Sequence, residues 1–309
     1  MSRVSIVLST YNGEKYIEEQ INSILSSSYQ DIDLYIRDDG SSDRTMEILE
    51  GYRSNAPEQI HVFRNDVNLG VTLNFLQGIC DTTADYIMLC DQDDVWKSNK
   101  ICDTLKRMRH MEAQLGKELP IAVFTDATVV DGSLNKLHDS FFRTGKLNPL
   151  KTDLPHILME NKLIGCTVMI NASLRRVLKS RHLPEKARYH DWWLALIAAS
   201  CGKIGYLPEQ TLLYRQHGNN VVGSTSFLSY VKSRITSLKK QKAAVLTLEK
   251  QAEEFLELYW EYLTAESREV LRKFADLQQS GFIRKRVILL QYGFLKTGFI
   301  RNLGLMFIA

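Results

Sequence analysis

The segment YIMLCDQDDVWKSNK, residues 86–100, joins an apolar run of strand length to a cluster of three carboxylates. The apolar run is typical of a strand that is buried on both faces of a sheet. Asp91, Asp93 and Asp94 follow it directly, and carboxylates this close raise one another's pKa unless a cation lies between them. Mg²⁺ and Mn²⁺ prefer oxygen ligands of this kind, so the segment predicts a metal site at the end of a strand. The alternative is that the acids only stabilise the N-terminal end of the next helix.

The composition is that of a soluble globular protein. Of the 309 residues 44% are hydrophobic and 24% are charged, and the formal net charge of +3 gives no argument for nucleic acid as a partner. The five cysteines form no CxxC pair, so we expect reduced core residues. The N-terminus lacks signal-peptide features, and no apolar run approaches the ~20 residues of a spanning helix. A cytoplasmic location is therefore expected.

The first half of the chain alternates strand-like and helix-like segments. The predicted strands are VSIVL (4–8), IDLYIR (32–37), IHVF (60–63), DYIMLC (85–90) and IAVFTD (121–126). Helical patterns of apolar residues follow the first four of them. This alternation predicts an α/β fold with a mostly parallel sheet that is flanked by helices on both faces.

Polar motifs come directly after three of the predicted strands. They are STYNG (9–13), RDDGSSD (37–43) and CDQDD (90–94). In open α/β sheets the ligand lies outside the carboxyl ends of the strands. The three motifs are therefore expected to converge on one crevice, which is stronger evidence for a site than any single motif.

The first two motifs suit the recognition of a pyrimidine base. Tyr11 offers an aromatic face, and a carboxylate at Asp39 would accept the imino N–H of uracil or thymine, with Asp38 in support. The alternative is that Asn12 and Ser41 mark two ordinary helix caps.

These motifs, together with NLG (68–70), HDWW (190–193) and YRQH (214–217), resemble the family 2 glycosyltransferases of GT-A fold. Within that family the motifs are most similar to those of bacterial rhamnosyltransferases that extend cell-wall or capsular polysaccharides from dTDP-rhamnose. The resemblance implies a Rossmann-like GT-A domain over residues 1–225 and a C-terminal α-helical extension over residues 226–309. It also implies an inverting, metal-dependent transfer, with a UDP-hexose such as UDP-glucose or UDP-galactose as the alternative donor.

The resemblance assigns roles to single residues. Asp91 and Asp93 would hold Mn²⁺ or Mg²⁺ with His217 as a further ligand, and Asp191 would be the catalytic base that takes the proton of the acceptor hydroxyl. The predicted residues of the nucleotide-sugar site are Thr10, Tyr11, Asp38, Asp39, Asn68, Gly70, Asp91, Asp94 and Arg215. The predicted acceptor residues are Asp126, His190 and Trp192.

Each of these assignments has a plainer alternative. His217 would otherwise be a loop histidine and Arg215 a partner in a surface ion pair. Asp191 would be an N-cap, and at least one tryptophan of the HDWW motif would face the core.

The last 30 residues mix basic and apolar side chains, and no acid follows Asp276. Such a stretch suits a helix that lies on an anionic membrane, which fits a lipid-linked oligosaccharide acceptor and a peripheral position on the inner face of the bacterial cell membrane. The alternatives are packing on the catalytic domain and pairing with a second subunit in a homodimer.

Functions from other classes are also open. A nucleotidyltransferase would carry a glycine-rich phosphate loop with basic residues after the first strand, and STYNGEKY (9–16) is poor in both. A non-catalytic membrane-bound scaffold is distinguished by a test of nucleotide binding.

Overall fold

The computed structural model describes residues 2–216 and 238–308, and its centre is one mixed sheet. The strands are β1 (Val4–Thr10), β2 (Ile32–Asp38), β3 (Ile60–Arg64), β4 (Tyr86–Asp91), β5 (Val95–Trp96), β6 (Ile121–Val130), β7 (Lys136–His138), β8 (Val168–Asn171) and β9 (Lys203–Arg215). They lie in the order β3-β2-β1-β4-β8-β6-β9-β5, and β7 pairs with β6.

The helices of the described residues fall into two sets. The first eight are α1 (Ile17–Leu25), α2 (Thr45–Asn55), α3 (Gly70–Asp81), α4 (Lys100–Leu115), α5 (Phe141–Gly145), α6 (Leu154–Met159), α7 (Ala172–Lys179) and α8 (His190–Cys201). The C-terminal set is α9 (Leu238–Tyr259), α10 (Ala265–Ala275), α11 (Phe282–Gln291) and α12 (Phe299–Ile308). Short 3₁₀ turns occupy Gly165–Thr167, Trp260–Tyr262 and Leu277–Gln279.

The sheet has a hydrophobic core on each face. Along β1, Val7 packs into one core and Ile6 and Leu8 pack into the other, as the two-residue period of a strand requires. Helices α3 and α8 cover the first face, and α1, α2 and α4 cover the second. The predicted α/β architecture with helices on both faces is confirmed.

The two halves of the sheet differ in strand direction. β3, β2, β1 and β4 are all parallel, as the strand–helix alternation predicts. Beyond β4 the sheet is mixed, because β8 runs antiparallel to both β4 and β6 while β6 and β9 are parallel. No crossover helix is needed between antiparallel neighbours, which is why the alternation did not predict this half.

The C-terminal helices share the core of the first face. Trp193 of α8 packs against Phe255 and Tyr259 of α9, with ring centroids 5.2 and 6.1 Å away. The predicted boundary between residues 225 and 226 lies outside the described residues and stays a prediction. Within those residues, no helix has the length and apolar character that crossing a bilayer demands.

Candidate active site

Strand register brings the three polar motifs together. Thr10, the last residue of β1, pairs with Asp38 at the end of β2, and Ser9 pairs with Asp91 at the end of β4. The loops that leave these strands therefore meet at one edge of the sheet, as the sequence predicts.

Gln92 fastens the β4 loop to the β1 loop. Its side-chain oxygen accepts hydrogen bonds from the Thr10 hydroxyl (2.6 Å) and the Tyr11 N–H (2.8 Å). Its side-chain nitrogen donates to the Tyr11 carbonyl at 3.2 Å. A Cβ at Gly13 would lie 2.5 Å from the same Gln92 oxygen, so a larger residue there would displace the Gln92 amide from this position. Tyr11 is half exposed, and its ring lines the cavity described below.

Asp38 and Asp39 have different surroundings. The buried Asp38 carboxylate accepts hydrogen bonds from the N–H groups of Gly40 (3.2 Å) and Ser41 (2.9 Å), so it shapes its own turn. The Asp39 carboxylate accepts hydrogen bonds from Asn65 and from the N-terminal end of α3. Asp39 also lines the cavity.

Three donors occupy the Asp39 carboxylate. They are the Asn65 side-chain amide (2.7 Å) and the N–H groups of Leu69 and Gly70, each at 2.8 Å. A carboxylate offers about four acceptor positions, so one is left for a ligand. Asn68 donates to the Asp39 carbonyl at 2.9 Å, and the φ of +79° at Gly70 suits a glycine at this turn. Asn68 and Gly70 thus hold Asp39 in place.

The carboxylates after β4 divide between the cavity and the interior. Asp91 and Asp93 line the cavity, whereas Asp94 is buried behind them. Burial and the neighbouring acids, of which Asp94 is the strongest, raise the pKa of Asp91 well above its usual range. Burial, followed by the charge of Asp93, raises the pKa of Asp94 to about 7. A cation on the cavity side would relieve this repulsion.

One cluster of possible metal ligands includes Asp91 but extends into the interior behind the cavity. The ligand atoms of Asp91, Asp94 and Cys166 lie within 4.8 Å of one another. Burial raises the pKa of the Cys166 thiol well above its usual range, so it stays protonated and leaves carboxylate oxygens as the ligands. Asp91 and Asp93 face the cavity and are the pair that would hold Mg²⁺ or Mn²⁺. The third predicted ligand, His217, lies outside the described residues.

Arg215 is placed differently from our prediction. Its buried guanidinium donates to the carbonyls of Asp93 and Gly132, each at 2.7 Å, and pairs with Glu19. Its own N–H donates to Asp94 at 3.0 Å. Arg215 therefore stabilises, from the buried side, the turn that contains Asp91, Asp93 and Asp94, which we call the acidic turn. The Arg215 side chain is not among the groups that line the cavity. The prediction that it contacts the diphosphate has no support in this placement.

Asp126 is also placed differently. Its buried carboxylate accepts hydrogen bonds from the Ser140 hydroxyl (2.5 Å) and the Phe141 N–H (3.1 Å), at the start of α5. The side chain of Gln210 adds a third donor at 3.3 Å. Asp126 is outside the cavity lining and anchors α5, so its contact with an acceptor stays a prediction that this placement does not favour.

Asp191, on α8, shares the cavity with Asp91 and Asp93. It lines the same cavity as Asp91 and adds to the charge that raises the pKa of Asp91. Burial raises the pKa of Asp191 to about 7, although hydrogen bonds from the N–H groups of Trp192 and Gly165 and from the Asn161 side chain act in the opposite direction. A carboxyl with this pKa is suited to proton transfer near neutral pH.

His190 and the two tryptophans flank Asp191. The His190 ring stacks on Phe75 with centroids 3.9 Å apart, and burial lowers its pKa to about 3, so it is neutral. A Cβ at Gly165 would lie 2.6 Å from His190 Nε2, so the glycine admits this ring. Trp192 lines the cavity and Trp193 is in the core, as predicted for at least one of them.

These residues surround one cavity of about 570 Å³. The acids at the sheet edge form one side, and the wall opposite is largely apolar. Residues of α9 complete the lining of the cavity. Lys296 and Arg301, from the C-terminal region after α11, also line it. The apolar and C-terminal lining residues include Phe141, Phe142, Leu147, Met159, Leu163, Ala244, Val245 and Leu248.

Sequence reasoning missed several of the groups in this site. Asn161 and Lys162 lie in a segment that carries no sequence motif. Only the tertiary fold brings both residues into the cavity lining and Asn161 close to Asp191. Arg188 lines the cavity with its guanidinium 5.6 Å from the Trp192 ring, and its position two residues before HDWW was the one available signal. The side chains of α9 gave none.

Comparison with solved structures defines the fold. The chain superposes on Staphylococcus aureus TarS 1–349 with a TM-score of 0.54 at 17% identity, over 94% of this chain and 91% of that chain. It superposes on the mannosyltransferase PcManGT of Pyrobaculum calidifontis, solved with GDP-Man and Mn²⁺, with a TM-score of 0.54 at 13% identity, over 94% and 73% of the two chains. The fold is of the GT-A type, as the resemblance implied.

Sequence comparison defines the family. Residues 5–118 match Glycosyl transferase family 2. The putative teichuronic acid biosynthesis glycosyltransferase TuaG of Bacillus subtilis is 32% identical over 74% of this chain and 85% of its own length. The dTDP-rhamnosyl transferase RfbG of Shigella flexneri is 29% identical over 70% of this chain and 74% of its own length. The chain belongs to glycosyl transferase family 2.

Proposed function

We propose that this chain is an inverting, metal-dependent glycosyltransferase that moves L-rhamnose from dTDP-β-L-rhamnose onto a sugar hydroxyl of a lipid-linked oligosaccharide. The observation that carries the proposal is the shared cavity, in which Asp191 faces the carboxylates of Asp91 and Asp93. The biosynthetic context is cell-wall or capsular polysaccharide, which the name of the Bacillus subtilis relative supports.

The reaction uses Asp191 as the base. The ionised carboxylate takes the proton of the acceptor hydroxyl while that oxygen attacks the anomeric carbon of the donor. The bond between that carbon and dTDP breaks, dTDP leaves with the electron pair, and the new linkage is α. A metal ion held by Asp91 and Asp93 would neutralise charge on the diphosphate. His190 and Trp192 border the position of the acceptor.

The donor assignment rests on the part of the cavity formed by Thr10, Tyr11, Gln92 and Asp39, which we call the base-binding edge. The acceptor position that remains on Asp39 suits the imino N–H of thymine or uracil, and Tyr11 offers its ring as a stacking face. The name of the Shigella flexneri relative favours dTDP-rhamnose. A UDP-sugar is the alternative donor, because S. aureus TarS has been solved with UDP-GlcNAc.

A panel of nucleotide sugars tests this function. Hydrolysis of dTDP-rhamnose, UDP-glucose, UDP-galactose and GDP-mannose is measured with Mn²⁺, Mg²⁺ and chelator. We expect metal-dependent hydrolysis with dTDP-rhamnose preferred. Preference for the GDP-sugar would overturn the role of Asp39, and metal-independent turnover would overturn the role of Asp91 and Asp93. A melting temperature that neither dTDP nor UDP raises in the presence of metal would favour the scaffold alternative.

We also propose that α11 and α12 dock on an anionic lipid bilayer. Large apolar side chains on these helices are exposed, among them Phe282 (70%), Phe299 (80%) and Phe307 (73%). The region from residue 277 to the end contains no acid, while the exposed Arg284 is one of its several basic residues. An apolar face in such a basic setting complements anionic headgroups, and this position would bring the enzyme to a lipid-linked acceptor.

Vesicle sedimentation tests the docking surface. The double variant Phe299→Ser/Phe307→Ser is expected to lose binding to vesicles that contain phosphatidylglycerol, while Leu150→Ser, which removes an exposed leucine elsewhere, keeps it. Binding that is equal for all three proteins would overturn the proposal. A dimer that the double variant converts to a monomer would assign the face to a second copy of the chain.

A further inference from the structure

The loop at residues 160–165 connects Asp191 to the C-terminal helices. Gly165 lies against Asp191, since a Cβ built on Gly165 would be 3.8 Å from Asp191 Oδ2, and the Gly165 N–H and the Asn161 side chain both act to lower the pKa of Asp191. Within the loop, the Asn161 amide donates to the Leu163 carbonyl at 2.9 Å and its oxygen accepts the Leu163 N–H at 3.0 Å. The position of the Asp191 carboxylate therefore depends on the conformation of this loop.

Four side chains fix the start of the loop to the C-terminal region. Glu160 pairs with Lys162 and accepts the Thr297 N–H at 2.9 Å, and Arg301 lies 3.5 Å from its other oxygen. Lys162 Nζ donates to the Thr297 hydroxyl at 2.7 Å. We call Glu160, Lys162, Thr297 and Arg301 the C-terminal clamp.

The C-terminal clamp is buried, unlike an ordinary surface ion pair. The Lys162 side chain has no exposed area, and those of Arg301 and Glu160 are 8% and 15% exposed. Arg301 also donates to the Gly145 carbonyl at 2.6 Å, at the end of α5. Buried charges that lose a partner are strongly disfavoured, so this geometry is held tightly.

We infer that the C-terminal clamp positions the catalytic base, with Thr297 and Arg301 fixing the 160–165 loop and the loop fixing Asp191 through Asn161 and Gly165. The inference rests on the proposed role of Asp191. At the base-binding edge, the hydrogen bonds between Gln92, Thr10 and Tyr11 and those around Asp39 involve no member of the clamp. Glu160, Lys162 and Arg301 line the same cavity, but none of them contacts these groups, so we expect the clamp to act mainly on the chemical step.

Variants of the clamp in the full chain test this inference. Lys162→Met and Thr297→Val are assayed for hydrolysis of dTDP-rhamnose, or of whichever sugar nucleotide the panel selects. We expect kcat to fall about 10- to 100-fold, because small displacements of a catalytic group have effects of this size. The donor KM and the rise in melting temperature with dTDP and Mn²⁺ should stay within about twofold of the parent values, since the binding edge is intact.

Two further variants separate positioning from general damage. Thr297→Ser keeps the hydroxyl that accepts from Lys162 and is expected to retain most of the parent kcat. Glu118→Gln removes an exposed ion pair with Arg176 on α7 and is expected to leave kcat unchanged. Equal losses in Thr297→Ser and Thr297→Val, or a loss confined to KM, would overturn the inference.

Hydrogen exchange supplies a readout that needs no turnover. In Thr297→Val the amides of residues 160–165 and of Trp192 should exchange faster, while those of residues 9–13 should not. Unchanged exchange in both segments would overturn the inference whatever the donor. Absence of hydrolysis by the parent protein with every sugar would instead overturn the proposed function, and exchange would still decide the clamp.

Discussion

The two sides of the cavity are built in different ways. One side, which we propose to bind the base and call the base-binding side, consists of loops that leave neighbouring parallel strands, and its contacts are polar, such as those between Gln92 and Tyr11. The side that carries Asp191 consists of segments far apart in the chain, and Glu160 and Thr297 are 137 residues apart. Strand register dictates the first side, whereas tertiary packing of the C-terminal helices produces the second. Variants on each side should therefore fail in different ways.

The largest effect is expected at Asp191. Asp191→Asn keeps the size of the side chain but removes the group that accepts the proton, so kcat should fall about 10²- to 10⁴-fold. Binding of dTDP with Mn²⁺, measured by calorimetry, should be unchanged because the base-binding side is intact.

The stability of the same variant sharpens this result. Burial raises the pKa of Asp191 to about 7, so above pH 7 the folded state contains a charge that the unfolded state holds more easily. Without metal at pH 8, Asp191→Asn should melt at a temperature equal to or higher than that of the parent. A lower melting temperature together with weaker dTDP binding would indicate a structural role for Asp191.

The sequence predicted the base-binding side well because its geometry follows from local patterns. Apolar runs of strand length predicted the parallel strands. Because the carboxyl ends of parallel strands lie at one edge of the sheet, the polar residues after Thr10, Asp38 and Asp91 had to lie close together. The binding roles of these residues stay predictions. Their convergence on one cavity is confirmed.

Arg215 and Asp126 show what the sequence could not reveal about the surroundings of a predicted site residue. Both lie at the expected end of the sheet, but their partners come from distant segments, such as Glu19 for Arg215 and Ser140 for Asp126. Whether a polar side chain faces a ligand or a neighbouring loop depends on such partners, and no local pattern encodes them. For the same reason, the sequence could not predict that apolar residues of α9 line the cavity.

Arg215→Met tests the brace behind the acidic turn. The variant leaves the carbonyls of Asp93 and Gly132 without their donor, which should lower the free energy of unfolding by about 2–4 kcal/mol. Denaturant titration measures this. Arg176→Met, which removes an exposed arginine, should change stability by less than about 0.5 kcal/mol. Full stability with weaker diphosphate binding would restore our original assignment of Arg215 to the diphosphate.

The pH dependence of kcat is expected to report Asp191. The carboxylate accepts a proton only when it is ionised, and its pKa is raised to about 7, so kcat should rise with pH and level off above that value. Below it, the loss should be about tenfold per pH unit. Rates are measured at saturating Mn²⁺ and donor, because a bound cation would neutralise the charge of the carboxylates that face Asp191. A plateau that extends down to pH 5 would contradict the assignment.

The smallest effect is expected at Gln92. Gln92→Ala removes the hydrogen bonds to the Thr10 hydroxyl and to the Tyr11 backbone, so the Tyr11 ring loses its fixed position over the base. Hydrogen bonds to partly exposed groups contribute about 0.5–1.5 kcal/mol each, and the donor KM should therefore rise several-fold to about tenfold. The kcat at saturating donor should hardly change, because Gln92 is not among the groups that hydrogen-bond to Asp191 or shift its pKa. Steady-state kinetics of Gln92→Ala and Lys162→Met, measured side by side, should then give opposite patterns. Gln92→Ala should change only the donor KM, and Lys162→Met should change only kcat. A Gln92→Ala variant that loses kcat with an unaltered KM would show that the two sides are coupled and that strand register does not isolate the base-binding side.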